Sequence, residues 1–462
     1  MHVFKSRVIG LSFLLCTWNL AVAQAVDSVN VSGRVQWKPK GITGYPDELK
    51  IISETKKVLL SPIDSAGKYH FRLPVGSYTL TPSRHYHWME EEYIRINDSV
   101  STISINLSAV KEFTAPVLEL DTIALANLLP NVGMAHHFTK KDAGQVDDFI
   151  KKQMAFFEIP GASLAIIKNG KIIYSQVYGV SSVQSGMPVT QNTLFEAGSV
   201  TKPVFTFVIM RLVERGILQL DQPLYQLLPF PELSNDERYK IITTRHILCH
   251  QSGLPNWAQR DSTGHFNLLF TPGSKFGYSG EGYEYLKRVV EHITGKNVSQ
   301  LLDEELLIPL NLSDFYFKGS EYVKKYSANG HKDLKPSAIR FIEKPMMAFS
   351  LFTEAKAFGN FMLALRNKKG LKSDTYNEML RIQSTRNDGV HWGLGFELEN
   401  TPLGLSYGHS GSTSSGFICN FTFFPKVDLG YVFFTNSDMG AMLSIPLLTQ
   451  FLITGKNQAA IK

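Results

Sequence analysis

The sequence has 462 residues, of which 44% are hydrophobic, 11% aromatic and 19% charged, with a formal net charge of +6. That composition excludes a disordered, fibrous or low-complexity chain, and the length exceeds one ordinary core, so two domains are expected. Lys5 and Arg7 carry part of the charge and sit in an expected leader, so the remaining surface is mildly basic and no nucleic-acid partner is expected.

Lys5 and Arg7 precede an apolar stretch from Val8 to Leu15, and Ala21-Val22-Ala23 offers small residues for cleavage ahead of Gln24. Residues 1–23 are therefore expected to be a signal peptide, with the mature chain secreted or periplasmic. Ser12, Thr17 and Asn19 interrupt the apolar stretch, which falls short of the roughly 20 residues of a membrane span, so no transmembrane segment is expected after cleavage. Cys16 would suit a lipid anchor, but Leu15 stands where such signals want a small residue. Cleavage would leave Cys249 and Cys419, too few for a disulfide framework, and their pairing stays open.

Residues 27–116 read as short strands separated by turn formers: Val29 to Trp37, Lys57 to Leu60, Tyr69 to Leu73, Tyr78 to Pro82 and Ser101 to Leu107. Glycines at turns and alternating aromatics from Asp64 to Tyr78 predict a small all-β sandwich. The pattern resembles the carboxypeptidase-regulatory-like, prealbumin-type sandwich. Such a domain could bind a cell-wall or protein partner or brace the rest of the chain. His85-Tyr86-His87-Trp88 and His136-His137 lack a carboxylate or cysteine cluster at ligand spacing and read as loop or strand edge.

Residues 117–141 form a polar linker, and a second domain is expected over 142–455. From Asp142 the pattern turns helical, with Val146, Phe149, Ile150 and Phe157 on one face. Ser163 to Lys168 and Lys171 to Val177 flank Asn169-Gly170, which supplies the positive φ angles of a tight hairpin. A helix followed by a hairpin fits an α/β catalytic domain, and further strands are expected at Gly393 to Glu397, Gly416 to Phe424 and Leu429 to Phe434. Ile445 to Ile453 reads as a closing helix.

Phe195-Glu196-Ala197-Gly198-Ser199-Val200-Thr201-Lys202-Pro203 runs into an apolar helix pattern over Val204 to Val213 that stops at Gly216. On a helix, an offset of three stacks Ser199 and Lys202 on one face, within reach of each other. A serine hydroxyl is a weak nucleophile until a base takes its proton, and a lysine can serve only if burial or another cation lowers its pKa. Further on come Leu218-Gln219-Leu220-Asp221-Gln222-Pro223-Leu224, then Thr244-Arg245-His246-Ile247-Leu248-Cys249-His250-Gln251-Ser252-Gly253-Leu254-Pro255.

These segments resemble the class C β-lactamase-related superfamily, which includes DD-peptidases and family VIII esterases, over roughly Gly144 to Ile453. The resemblance implies an antiparallel sheet flanked by helices plus an all-helical subdomain, to which the helical patterns at Leu286 to Val290 and Phe358 to Leu365 are assigned. It assigns Tyr278 to the tyrosine of a Y-x-N motif, as a proton shuttle in which a nearby lysine ammonium can favour the phenolate, and His409-Ser410-Gly411 to the K-T-G place. It implies that His409 holds the lysine–tyrosine network, that Ser410 and Gly411 line the substrate, and that the backbone N–H groups of Ser199 and Ser412 form an oxyanion hole. Gly280 stands where the motif has asparagine, leaving a substrate-binding position without a side chain. That departure tilts the expected activity toward an esterase or a specialised D-amino-acid or small-amide peptidase, with a β-lactamase or DD-carboxypeptidase as the alternative. A catalytically silent cell-wall-binding scaffold is the alternative of another class. The expected ligand is a small molecule or peptide. Neither cofactor nor metal is expected, although His246 and His250 at i and i+4 would share a helix face.

Overall fold

The computed structural model describes seven strands between Ser28 and Leu107 and the stretch 140–443 except residues 333, 387 and 402. The expected leader, most of the linker, the two histidine-bearing segments at 85–88 and 136–137 and the closing helix lie outside the described residues. The chain divides into two compact units at Leu118.

In the first unit the strands are β1 (Ser28–Val35), β2 (Glu48–Ser53), β3 (Val58–Pro62), β4 (Lys68–Pro74), β5 (Gly76–Pro82), β6 (Glu92–Ile96) and β7 (Thr102–Leu107). They form two sheets, in the orders β4-β1-β7 and β3-β2-β5-β6. Only the β1–β7 pairing is parallel among them. Tyr69 and Leu73 alternate inward along β4, and Ile51 sits opposite Leu80 in the second sheet with both buried. Strands β2 and β6 escaped the sequence reading because ELKIIS and EYIRI mix charged residues into short apolar runs.

The second unit is built on an eight-stranded antiparallel sheet. It opens with helix α1 (Lys140–Phe156), which buries Val146, Phe149 and Ile150. Strands β8 (Gly161–Lys168) and β9 (Lys171–Gly179) follow as the expected hairpin, Lys168 opposite Lys171, with Asn169 at φ 49° and Gly170 at φ 72°. Strand β8 is buried along its whole length because β19 (Leu429–Thr435) flanks it on the other side and helices cover its faces. Strands β14 (Ser384–Thr385), β15 (His391–Trp392), β16 (Glu397–Thr401), β17 (Gly404–Ser412) and β18 (Ile418–Phe424) complete the sheet in the order β14-β15-β16-β17-β18-β19-β8-β9. Two small pairings lie outside it, β10 (Phe195–Glu196) with β13 (Phe352–Thr353) and β11 (His331–Lys332) with β12 (Lys335–Pro336).

Helix α2 (Thr201–Glu214) is buried almost all round, as its continuous apolar sequence requires. Helix α3 (Gly280–Thr294) is amphipathic and packs on the α2 side through Tyr283, Leu286, Val289 and Val290. Two expectations are corrected. Helix α4 (Ala355–Arg366), assigned to the helical subdomain, packs on the sheet instead, where a Cβ on Gly359 would lie 3.1 Å from Ile172 and 3.7 Å from Ala165. The strand expected over Gly393 to Glu397 is mostly a turn: Gly395 adopts φ 76°, Gly393 donates to the Phe396 carbonyl, and pairing resumes at Glu397.

Candidate active site

Ser199 lies between β10 and α2. Gly198 takes a left-handed φ of 50°, turning the chain into a short 3-10 segment, Gly198–Val200, that leads into the helix. The turn is tied by Thr201 Oγ1, which donates to the Gly198 carbonyl at 2.7 Å and accepts from Leu351 N–H at 3.0 Å. Pro203 falls in the first turn of α2, where its missing N–H costs no helical bond.

Lys202 is 2% exposed. Its Nζ donates to Ser199 Oγ at 3.1 Å and to the Ala348 carbonyl at 2.8 Å. Burial pulls its pKa down from 10.5 to about 7, against the opposing pull of the Glu284 carboxylate. Glu284 accepts from the Ala348 N–H at 3.0 Å and from Lys287 at 2.8 Å, so one residue, Ala348, stands between it and the lysine. A substantial neutral fraction of the amine therefore exists at neutral pH.

Burial, the largest influence on Tyr278, raises its pKa against a smaller opposing effect of the neighbouring Ser199 side chain. Lys202 Nζ lies 4.8 Å from the Tyr278 ring centroid, over its face. The expectation of a resting phenolate is thus corrected: desolvation keeps Tyr278 a neutral phenol. His409 is also neutral, its pKa pulled by burial to about 3. Its Nδ1–H donates to the Ser410 carbonyl at 2.6 Å, which fixes Nε2 as the lone-pair nitrogen. The His409 ring lies 6.4 Å from that of Tyr278 and 5.5 Å from that of Trp392, approaching the network through ring packing.

Strand β17 meets the serine turn through two glycines. A Cβ on Gly411 would lie 2.2 Å from the Ala197 carbonyl and 3.2 Å from Ser199 N, and one on Gly198 would lie 3.1 Å from Ser412 N. The absence of a side chain at both positions lets the Ser199 turn and the Ser412 end of β17 approach closely. Gly411→Ala is expected to force these segments apart and lower ester turnover by about a hundredfold, the effect of a misplacement near 1 Å. The check is hydrolysis rate alongside Tm, and a variant with unchanged turnover would show that this approach is not required.

A cavity of about 650 Å³ brings together Ser199, Lys202, Tyr278, His409 and the Ser410-Gly411-Ser412 edge. Gly280 is not among its lining residues. A Cβ there would lie 2.8 Å from the Trp257 ring and 3.1 Å from the Asn256 carbonyl, so the position is occupied space, and the expected open subsite is corrected. The cavity also takes in Asn256, Trp257, Arg340, Arg386, Trp392 and Glu397, which the sequence reading missed. Ser410 donates its hydroxyl to both Glu397 carboxylate oxygens at 3.2 Å, and Arg340 donates to the buried Glu196 at 2.7 Å. Glu196 also accepts from Ser415 Oγ at 2.9 Å, tying the loop after β17 to β10.

His246 and His250 do not share a helix face. The helix there, Thr244–Leu248, ends before His250, which has φ 56°. His250 Nδ1 accepts from Ser279 N–H at 3.1 Å, and its ring lies 4.2 Å from that of Tyr278 at an angle of 32°. Cys249 and Cys419 are both buried free thiols, the second donating to the Ala197 carbonyl at 2.9 Å.

An antiparallel sheet backed by helices, with a serine one turn ahead of a buried lysine at a helix mouth, is the arrangement of β-lactamase-fold serine hydrolases. A family model described as Beta-lactamase matches residues 146–445, and the chain belongs to that family. It is 26% identical to Protein flp of Staphylococcus aureus (strain MW2) over 209 residues, 42% of either chain. It is 28% identical to Esterase EstB of Burkholderia gladioli over 234 residues, 44% of this chain and 59% of that one. The chain thus spans about half the length of these curated relatives. In fold it is similar to a class C beta lactamase, with TM-score 0.59 and 21% identity, covering 68% of this chain and 99% of that one.

Proposed function

We propose that this chain hydrolyses an ester or small amide through an acyl-enzyme on Ser199. The observation that carries the reading is the buried Lys202 amine, 3.1 Å from Ser199 Oγ with a pKa of about 7. Neutral Lys202 takes the hydroxyl proton as Ser199 attacks the substrate carbonyl, and the Ser199 and Ser412 amides face the oxyanion that forms. Tyr278, a neutral phenol on the same cavity as Ser199, relays a proton toward the leaving group, and water then releases the acyl group. His409, neutral and packed against Tyr278 and Trp392, positions the phenol.

The likeness to Esterase EstB supports the ester side of this reading. Hydrolysis of a short-chain nitrophenyl ester by the signal-free protein tests it, because an activated ester asks least of substrate recognition. Turnover supports the reading, and its absence together with absence of covalent labelling would favour a silent scaffold. Export to the periplasm or beyond belongs to the same proposal, supported by the pattern from Lys5 to Ala23. So does a regulatory-like sandwich over 27–116, supported by its two sheets, as a contact for a cell-wall or protein partner.

A further inference from the structure

His250 follows the short helix Thr244–Leu248 with one residue between, and takes a left-handed φ of 56°. That place after a helix is usually filled by glycine or asparagine, because the conformation crowds a larger L side chain. Histidine in such a strained position points to a role for its side chain. The residue is fully buried, so its partners are internal.

Those partners surround Tyr278. The His250 carbonyl accepts from Gly277 N–H at 2.7 Å, and its Nδ1 accepts from Ser279 N–H at 3.1 Å. Both neighbours of the tyrosine are thus held by one residue. The imidazole also lies against the phenol ring, with centroids 4.2 Å apart at 32°, and Trp392 meets the imidazole edge-on at 5.0 Å. Ser279 Oγ is engaged elsewhere as the cap of α3, accepting from Gly282 N–H at 3.0 Å and donating to the Pro255 carbonyl at 2.8 Å. Among the described residues Nε2 has no partner, so the bond from Ser279 N–H is the imidazole's one hydrogen bond. Burial, and after it the charge of Lys202, holds the His250 pKa well below 6.5, which keeps the lone pair on Nδ1.

We propose that His250 is the positioning residue of Tyr278: its carbonyl and Nδ1 hold the residues on either side of the tyrosine while its ring backs the phenol. This inference rests on the acyl-transfer reading of Ser199 with Tyr278 as proton relay, which it deepens by naming what fixes the relay in place.

A nitrophenolate departs without a proton, whereas an ethoxide must receive one, so nitrophenyl and ethyl esters of the same acid depend on the relay to different degrees. Their kcat/KM ratio, compared between parent and variant, cancels any general loss of active protein. His250→Leu removes the acceptor at similar size, and the ethyl-to-nitrophenyl ratio is expected to fall about 10- to 100-fold, part of what a well-placed acid supplies. His250→Asn offers Oδ1 in place of Nδ1 and tolerates the left-handed backbone, so it should keep the ratio within about threefold of the parent. In a Tyr278→Phe background His250→Leu should leave the ratio where it stands, because no phenol hydroxyl remains to be placed. A ratio unchanged by His250→Leu in the parent, or lowered as much without the hydroxyl as with it, overturns the proposal. If His250→Leu does not fold, His250→Gln, whose carbonyl lies one bond further out, takes its place. A parent that turns over neither ester would count against the acyl-transfer reading, and crystal structures of the parent and the His250 variant then decide the positioning role. A displaced Tyr278 ring supports it, and a ring in its parental place overturns it.

Discussion

Ser199→Ala is expected to lower turnover of an activated ester by about 10⁴- to 10⁶-fold, the range seen when a hydrolase loses its nucleophile but keeps its oxyanion donors. The reason is local. Ser199 Oγ is the hydroxyl that Lys202 reaches at 3.1 Å and that Tyr278 also contacts, so its loss leaves the base and the phenol with nothing to activate. Folding should survive, because Ser199 is half-buried and Lys202 keeps its 2.8 Å bond to the Ala348 carbonyl. Circular dichroism and Tm within a few degrees of the parent, together with the lost turnover, are the expected pair of results. Near-parental turnover would place the nucleophile elsewhere.

Lys202→Met is expected to move activity and stability in opposite directions. Activity should fall by about 10²- to 10⁴-fold, the usual contribution of a positioned base. In the parent, kcat/KM should rise with pH through about 7, where the folded amine loses its proton, and this limb should vanish in the variant. For stability, the folded pKa of about 7 lies below the unfolded value of 10.5, so the unfolded chain binds the extra proton between those two pH values. Stability of the parent therefore rises with pH across that window, and the full cost of burying the ammonium stands below it. A displacement of that size corresponds to ~5 kcal/mol as an order of magnitude. Methionine removes this cost while filling similar space, so the variant should melt higher, with the largest gain at or below pH 7 and the smallest near pH 10. A gain that does not change with pH would show that lysine titration is not its source.

Much of the catalytic unit was legible where short-range chemistry decides the geometry. Asn169-Gly170 encodes its hairpin by the φ angles it permits, and Ser199 and Lys202 meet because three residues on a helix span one turn. Strand β17 was legible in part, since its glycine at 411 signals a close backbone approach, though which backbone it meets is set by tertiary packing. What failed depended on contacts distant in sequence. Gly280 reads as an empty side-chain position until Trp257, 23 residues earlier, is seen packed against it. Tyr278 reads as a partner for a cation, yet its surroundings are dry enough that desolvation dominates. Asn256 carries no motif at all: its place on the cavity wall follows from where α3 begins, and Glu397 enters the cavity only through the register of β16 on β17. His250 spaces correctly for a helical pair with His246, and only the helix end at Leu248 turns it onto Tyr278.

The central claim, that Ser199 is the acylated residue, is tested most directly by treating the intact protein with a serine-directed fluorophosphonate and mapping the added mass by peptide fragmentation. The account predicts a single adduct on Ser199, formed faster as pH rises through about 7 and absent from Ser199→Ala. An adduct on any other residue that persists in Ser199→Ala and accompanies loss of ester turnover would contradict it.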